Sequence, residues 1–137
     1  MRINYLILIV LISSNCFAND ILSMSLDEFY KIEENNEMYE QMLESGQIDK
    51  SREEIKTFCV KKAENEKELE QCKCIASEID KVDGKVFMYE SLFSYNSYQA
   101  KFEAKMNSDE AEYQRLKKND EERDSLSKMI ERVCGKS

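Results

Sequence analysis

The 137-residue chain has no histidine, no proline and no tryptophan, and only three glycines. Without histidine there is no imidazole general base, no Ser-His-Asp triad and no imidazole metal ligand. With proline absent and glycine only at positions 46, 84 and 135, few strong turn signals remain and no Gly-rich phosphate loop can be drawn. Charged residues, mostly Glu and Lys, make up 35% of the chain, and with those absences they favour an all-α protein. Basic residues are also in deficit, 20 against 28 acidic ones, for a net charge of −8. A surface this negative repels nucleic acid and anionic lipid heads, so a partner steered by charge is expected to be a basic protein. No repeat, low-complexity tract or linker marks a second domain.

The one long apolar run stands at the start. Met1-Arg2 is a short basic opening, Ile3 to Ile12 is almost wholly apolar, and Ser13-Ser14-Asn15 steps down in polarity. Cys16-Phe17-Ala18 then sets small residues at the −3 and −1 positions of a signal-peptidase site. The run is about ten residues, against the roughly 20 that span a bilayer. A retained anchor and a lipidated Cys16 are the alternatives; Asn15 suits the second poorly. The expectation is a cleaved signal peptide at 1–18 and a single helical domain at 19–137, with no stable membrane insertion after cleavage. That domain has 19 basic and 28 acidic side chains, a net of −9. Its address is the periplasm, or the extracellular space if the host is not Gram-negative.

Without Cys16, four cysteines remain: Cys59, Cys72, Cys74 and Cys134. An even count in a small exported chain reads as two disulfides. In a single helix, Cys59 and Cys72 would stand about 20 Å apart along the axis, whereas a disulfide needs Cα atoms within about 7 Å. A hairpin turning at Asn65-Glu66 brings them level. Cys74 lies about 200° around the helix from Cys72, so the expected pairs are Cys59–Cys72 and Cys74–Cys134, with Cys59–Cys74 and Cys72–Cys134 as the alternative. A redox role for Cys72-Lys73-Cys74 lacks the usual C-x-x-C spacing and strand context. The cysteine spacing is no compact zinc pattern, and the methionines are too dispersed for a copper site. No metal or cofactor is expected.

Five helices are expected. Ser25 with Glu28 forms a capping box that opens the first, Leu26 to Glu44, whose middle from Glu33 to Glu37 is polar. Phe29, Ile32, Tyr39, Met42 and Leu43 mark its inner face, and Ser45-Gly46 ends it. Ser51 with Glu54 forms a second box for a helix to about Glu64, with Ile55, Phe58 and Cys59 inward. The third, Glu66 to Val82, carries Leu69, Cys72, Ala76 and Ile79. Asp83-Gly84 breaks it, and the fourth runs from Lys85 to Met106. A cap at Asn107 or Ser108 opens the last, to about Val133, with Tyr113, Leu116, Leu126, Ile130 and Val133 as its apolar positions. Its Asn119–Asp124 stretch reads as solvated, or as an acidic contact site.

Six of the eleven aromatics past residue 18 sit between Phe87 and Phe102. Their wide apolar arc makes 85–106 the central helix of a small disulfide-crosslinked bundle. Tyr89, Tyr95 and Tyr98, among Ser and Asn, have the composition of a rigid protein-binding surface; the competing reading is core tyrosines with satisfied hydroxyls. Glu90 and Glu103 are the carboxylates best placed for acid–base chemistry, but read as the polar edge of that helix. The expected function is an exported, non-enzymatic helical protein that binds another protein in the cell envelope. The alternatives are an inhibitor or immunity protein neutralising a basic hydrolase or toxin, and a periplasmic chaperone or accessory subunit of a secretion, pilus or conjugation system.

Overall fold

Helix starts and stops follow local hydrogen-bonding signals in some places and are overruled by packing in others. The computed structural model describes residues 21–135, so the targeting segment read at 1–18 lies outside the described residues. Among the described residues every regular element is helical. A 3-10 turn at Ile21–Ser23 precedes α1 (Leu26–Lys31), α2 (Glu33–Glu44), α3 (Gln47–Lys62), α4 (Glu66–Lys81), α5 (Gly84–Met106), α6 (Glu110–Glu122) and α7 (Leu126–Cys134). No helix among them is long and apolar enough to cross a membrane.

The expected cap at Ser25 forms, and Asn65 and Asp83, expected only as a turn and a break, also cap the helices that follow them. Ser25 and Glu28 make both halves of the capping box, with the Ser25 N–H donating to Glu28 Oε2 at 2.8 Å. Asn65 Oδ1 accepts from the Glu68 N–H at 3.0 Å, and Asp83 Oδ1 accepts from the amides of Lys85 and Val86. Directly after it, Gly84 lies so close to Tyr39 that a Cβ there would stand 2.6 Å from the phenol oxygen.

Among the described residues seven α-helices stand where about five were expected, because two expected helices are each broken once. The first breaks at Ile32, whose backbone is extended. Asn35 Nδ2 donates to the Phe29 carbonyl at 2.8 Å and Asn36 Nδ2 to the Tyr30 carbonyl, so side chains take acceptors at the end of α1. The polar middle is therefore a joint in which Asn35 is buried, only 3% exposed, while Glu33, Glu34 and Glu37 face water. The last helix breaks at Arg123, also extended, and Ser125 caps α7 by accepting from the Lys128 N–H. Asn119–Asp124 is thus the end of α6 and a joint: Asn119, Glu121, Glu122 and Asp124 are exposed, as the solvated reading expected, while Asp120 and Arg123 turn towards α5.

Two starts also differ. α3 begins at Gln47 after Gly46, which adopts the left-handed conformation. The early start buries Ile48, and Ser51 becomes a buried interior residue rather than an N-cap. α6 is capped by Asp109, whose side chain accepts from the Glu112 N–H. Leu43, Phe58, Leu69 and Val133, expected to face inward, are largely exposed.

Two disulfides crosslink the chain. Cys59–Cys72 joins α3 to α4 and Cys74–Cys134 joins α4 to α7, each with a Cα separation of 5.7 Å. Arg52 of α3 stacks over Phe87 and donates to the carbonyls of Ile79 and Val82 at the end of α4. Two closed disulfides point to an oxidising compartment outside the cytoplasm. α5 is the shared partner, packing against the 3-10 turn, α1, α2, α3 and α6.

Candidate functional site

α5 has two halves of opposite character. In the first, Phe87, Met88, Tyr89, Ser91 and Phe93 are all buried, as the N-terminal turn and α1 to α3 pack around them. Tyr89 donates its hydroxyl to the Met24 carbonyl at 2.6 Å and meets the Phe29 ring edge-on at 5.7 Å. Burial pushes its phenol above the ordinary value, an effect the nearby Arg123 offsets only in part. Tyr89 is a core residue with a satisfied hydroxyl and offers no surface to a partner.

In the second half one side is bare. Tyr95, Tyr98, Phe102 and Met106 are 42%, 49%, 51% and 70% exposed. At about 100° per residue they share an arc of roughly 80°, on the side of α5 opposite Ser97, Lys101 and Ala104. That opposite side meets α6: Asp120 accepts from Ser97 Oγ at 2.8 Å and pairs with Lys101. Tyr95 and Tyr98 are thus brought onto one exposed stripe. Phe102 and Met106 complete it and were not singled out from the sequence; their spacing of seven and eleven residues from Tyr95 is the signal that could have found them.

Beside Tyr98, α5, α6 and α7 enclose a cleft of about 300 Å³. Ile55, Ile79, Phe87, Phe93 and Ile130 give it an apolar lining. Its charged members are committed to one another. The Arg123 guanidinium lies over the Phe93 ring, 3.8 Å from the centroid, and pairs with Glu90. The second Glu90 oxygen accepts from the Leu126 N–H, the first amide of α7, at 3.0 Å. Lys128 Nζ donates to the carbonyls of Asp120, Glu121 and Arg123 at 2.9, 2.6 and 2.8 Å, neutralising the C-terminal end of α6. Glu90 is therefore a half-buried pin between α5 and the α6–α7 joint, not an exposed edge residue. Glu103 is exposed and about 20 Å further along α5, so the two carboxylates do not form a pair.

Cys59, Cys72, Cys74 and Cys134 are all held in disulfides, which leaves no thiolate among them for redox or metal chemistry. Charge is uneven as well. Residues 21 to 83 hold seventeen acidic and nine basic side chains, whereas residues 84 to 135 hold ten and nine. The bare stripe and the cleft both lie on the nearly neutral part. Compared with known proteins, the chain matches no family model, and no curated protein or solved structure is significantly similar to it.

Proposed function

We propose that this chain is an exported, non-enzymatic binding protein of the cell envelope, a crosslinked helical bundle that engages another protein through the second half of α5. The observation carrying this reading is the stripe of Tyr95, Tyr98, Phe102 and Met106, four large apolar side chains left in water on a helix whose other half is core. Isolated exposed apolar residues are common, but a contiguous helical row of them is the form a partner helix or surface uses. Aromatic anchors of this kind carry much of the energy in protein interfaces. The disulfides favour the role by holding the scaffold rigid, which lowers the ordering cost of association. The periplasm, or the extracellular space in a host that is not Gram-negative, is the compartment that suits such disulfides.

The test is a paired measurement on the mature chain. Tyr98→Ala and Phe102→Ala are expected to abolish capture of a specific envelope partner while shifting the melting temperature by less than about 3 °C, since surface substitutions cost under about 0.5 kcal/mol. Retention of the same partner by the double variant sinks the reading. A second reading, an inhibitor or immunity protein for a basic hydrolase or toxin, is favoured by the acidic excess of residues 21 to 83. It expects capture that is lost at 0.5 M salt and that survives the α5 substitutions.

A further inference from the structure

The two disulfides differ in burial. Cys59 and Cys72 are 3% and 2% exposed and belong to the core between α3 and α4. Cys74 and Cys134 are half-buried, and their chain neighbours Lys73, Val133 and Gly135 are exposed. Thiol–disulfide exchange needs an incoming sulfur to reach the bridge, so the more exposed bridge is the labile one.

They differ again in what holds their cysteines together once the bridge is open. Cys59 and Cys72 lie on two sixteen-residue helices that pack on each other. Arg52 of α3 also binds the carbonyls at the end of α4. The two thiols would stay level, and a pair kept at high effective concentration closes again readily. Cys134 ends α7, a helix of nine residues, below the roughly 12–15 at which a helix begins to hold its own shape in water. The first turn of α7 is pinned by Glu90 on the Leu126 amide and by Lys128 on the end of α6. Beyond the buried Ile130, α7 is tied to α4 by the bridge and by an exposed hydrogen bond from Gln71 Nε2 to the Gly135 carbonyl at 2.7 Å. Arg132 turns back to Asp124 in the α6–α7 joint. Leu126 and Ile130 of α7 line the cleft together with Ile55, Ile79 and Phe87.

We propose that Cys74–Cys134 is a redox latch on α7, opened by a protein dithiol of the thiol–disulfide exchange class while Cys59–Cys72 stays closed. One thiolate of the donor attacks a sulfur of the bridge, the S–S bond breaks, and the other cysteine leaves as a thiolate that takes up a proton. The second donor thiol then attacks the mixed disulfide and releases the first cysteine. Two electrons and two protons pass to Cys74 and Cys134, and the donor departs as a disulfide. The last turn of α7 then lifts from α4, and the cleft loses the fixed position of its Ile130 wall. The latch stands without the proposed protein-binding role, since it rests on the two bridges and on α7.

The experiment equilibrates the mature, oxidised protein over a series of reduced-to-oxidised dithiothreitol ratios and reads each cysteine by differential alkylation and mass spectrometry. Cys74 and Cys134 are expected to be half-labelled at a ratio at least about tenfold below that for Cys59 and Cys72. With that pair alone reduced, amide hydrogen exchange in the last turn of α7 should quicken at least about tenfold and by more than in α4. That lies within what closing a loop over a separation of 60 residues supplies. A thioredoxin-type protein dithiol should open the same pair. Replacing Cys74 and Cys134 together by Ala should give the same fast exchange without reductant, with Cys59–Cys72 as resistant as before. Opening of both bridges at one ratio, unchanged exchange in α7 after reduction, a larger change in α4 than in α7, or opening by dithiothreitol but not by the protein dithiol would overturn the proposal.

Discussion

The α3–α4–α7 region and the α5–α6 pair solve the same problem in different ways. In the first, two disulfides and the Arg52 cap tie three helices together, and Cys72, Ile75 and Ile79 are nearly inaccessible. In the second, thirteen residues of α6 run along one side of α5 and are held by Asp120, Arg123 and Lys128, with no covalent link. The far side of α5 then stays uncovered from Tyr95 to Met106. The row of bare side chains on α5 lies in the pair without a crosslink, while single apolar side chains such as Phe58, Leu69 and Val133 are exposed in the crosslinked region.

Paired substitutions at the two ends of α5 should break the comparison most forcefully. Phe87→Ala, at 2% exposure, is expected to cost about 3–5 kcal/mol of stability in urea unfolding. Phe102→Ala, at 51% exposure, is expected to cost less than about 0.5 kcal/mol. Similar costs at the two positions would mean that the second half of α5 is covered.

Removing the crosslinks should come next. Replacing Cys74 and Cys134 together by Ala is expected to lose about 4 kcal/mol, and Cys59 with Cys72 about 3 kcal/mol, because the former closes the longer loop. Hydrogen exchange should then quicken in α4 and α7 before α6. Faster exchange in α6 first would contradict the division drawn here.

A smaller effect probes the joint between the two regions. Gly84→Ala would press a methyl group against Tyr39 and is expected to cost roughly 1–3 kcal/mol. Adding Tyr39→Phe removes the nearest atom, the oxygen at 2.6 Å, and should recover part of the loss. Absence of any recovery would show that the backbone, not the phenol, resists the change.

The smallest effect concerns pH. Burial raises the phenols of Tyr30 and Tyr89, whose hydroxyls donate to the carbonyls of Lys85 and Met24. A tyrosine pKa raised on folding adds stability that is fully present below the unfolded value near 10 and is lost as pH climbs from there towards the folded value. Absorbance at 295 nm should show Tyr30 and Tyr89 ionising only as the core opens. Ionisation of Tyr89 before the loss of helical circular dichroism would rule out its core assignment.

Much of the fold was legible because its signals are local. Ser25 with Glu28, Asn65 before Glu66, and Asp83 with Gly84 mark joints by hydrogen bonds a few residues long. The disulfide pairing followed from the rise and rotation of a helix across a short hairpin. The two extra breaks were less legible. Asn35 and Asn36 sit in a stretch of good helix formers, and the Arg123 joint depends on Glu90 and Lys128, which lie 33 residues before it and five after it.

Composition and spacing alone determined the helical class, the hairpin and a preference between two cysteine pairings, since backbone hydrogen bonding and helical pitch act over a few residues wherever the segment lies. Only the tertiary structure decided that Tyr89 is core while Tyr95 and Tyr98 are bare. The reason is reach: α1 to α3 cover only the first half of α5, and how far a neighbour extends is written in no single stretch of the chain.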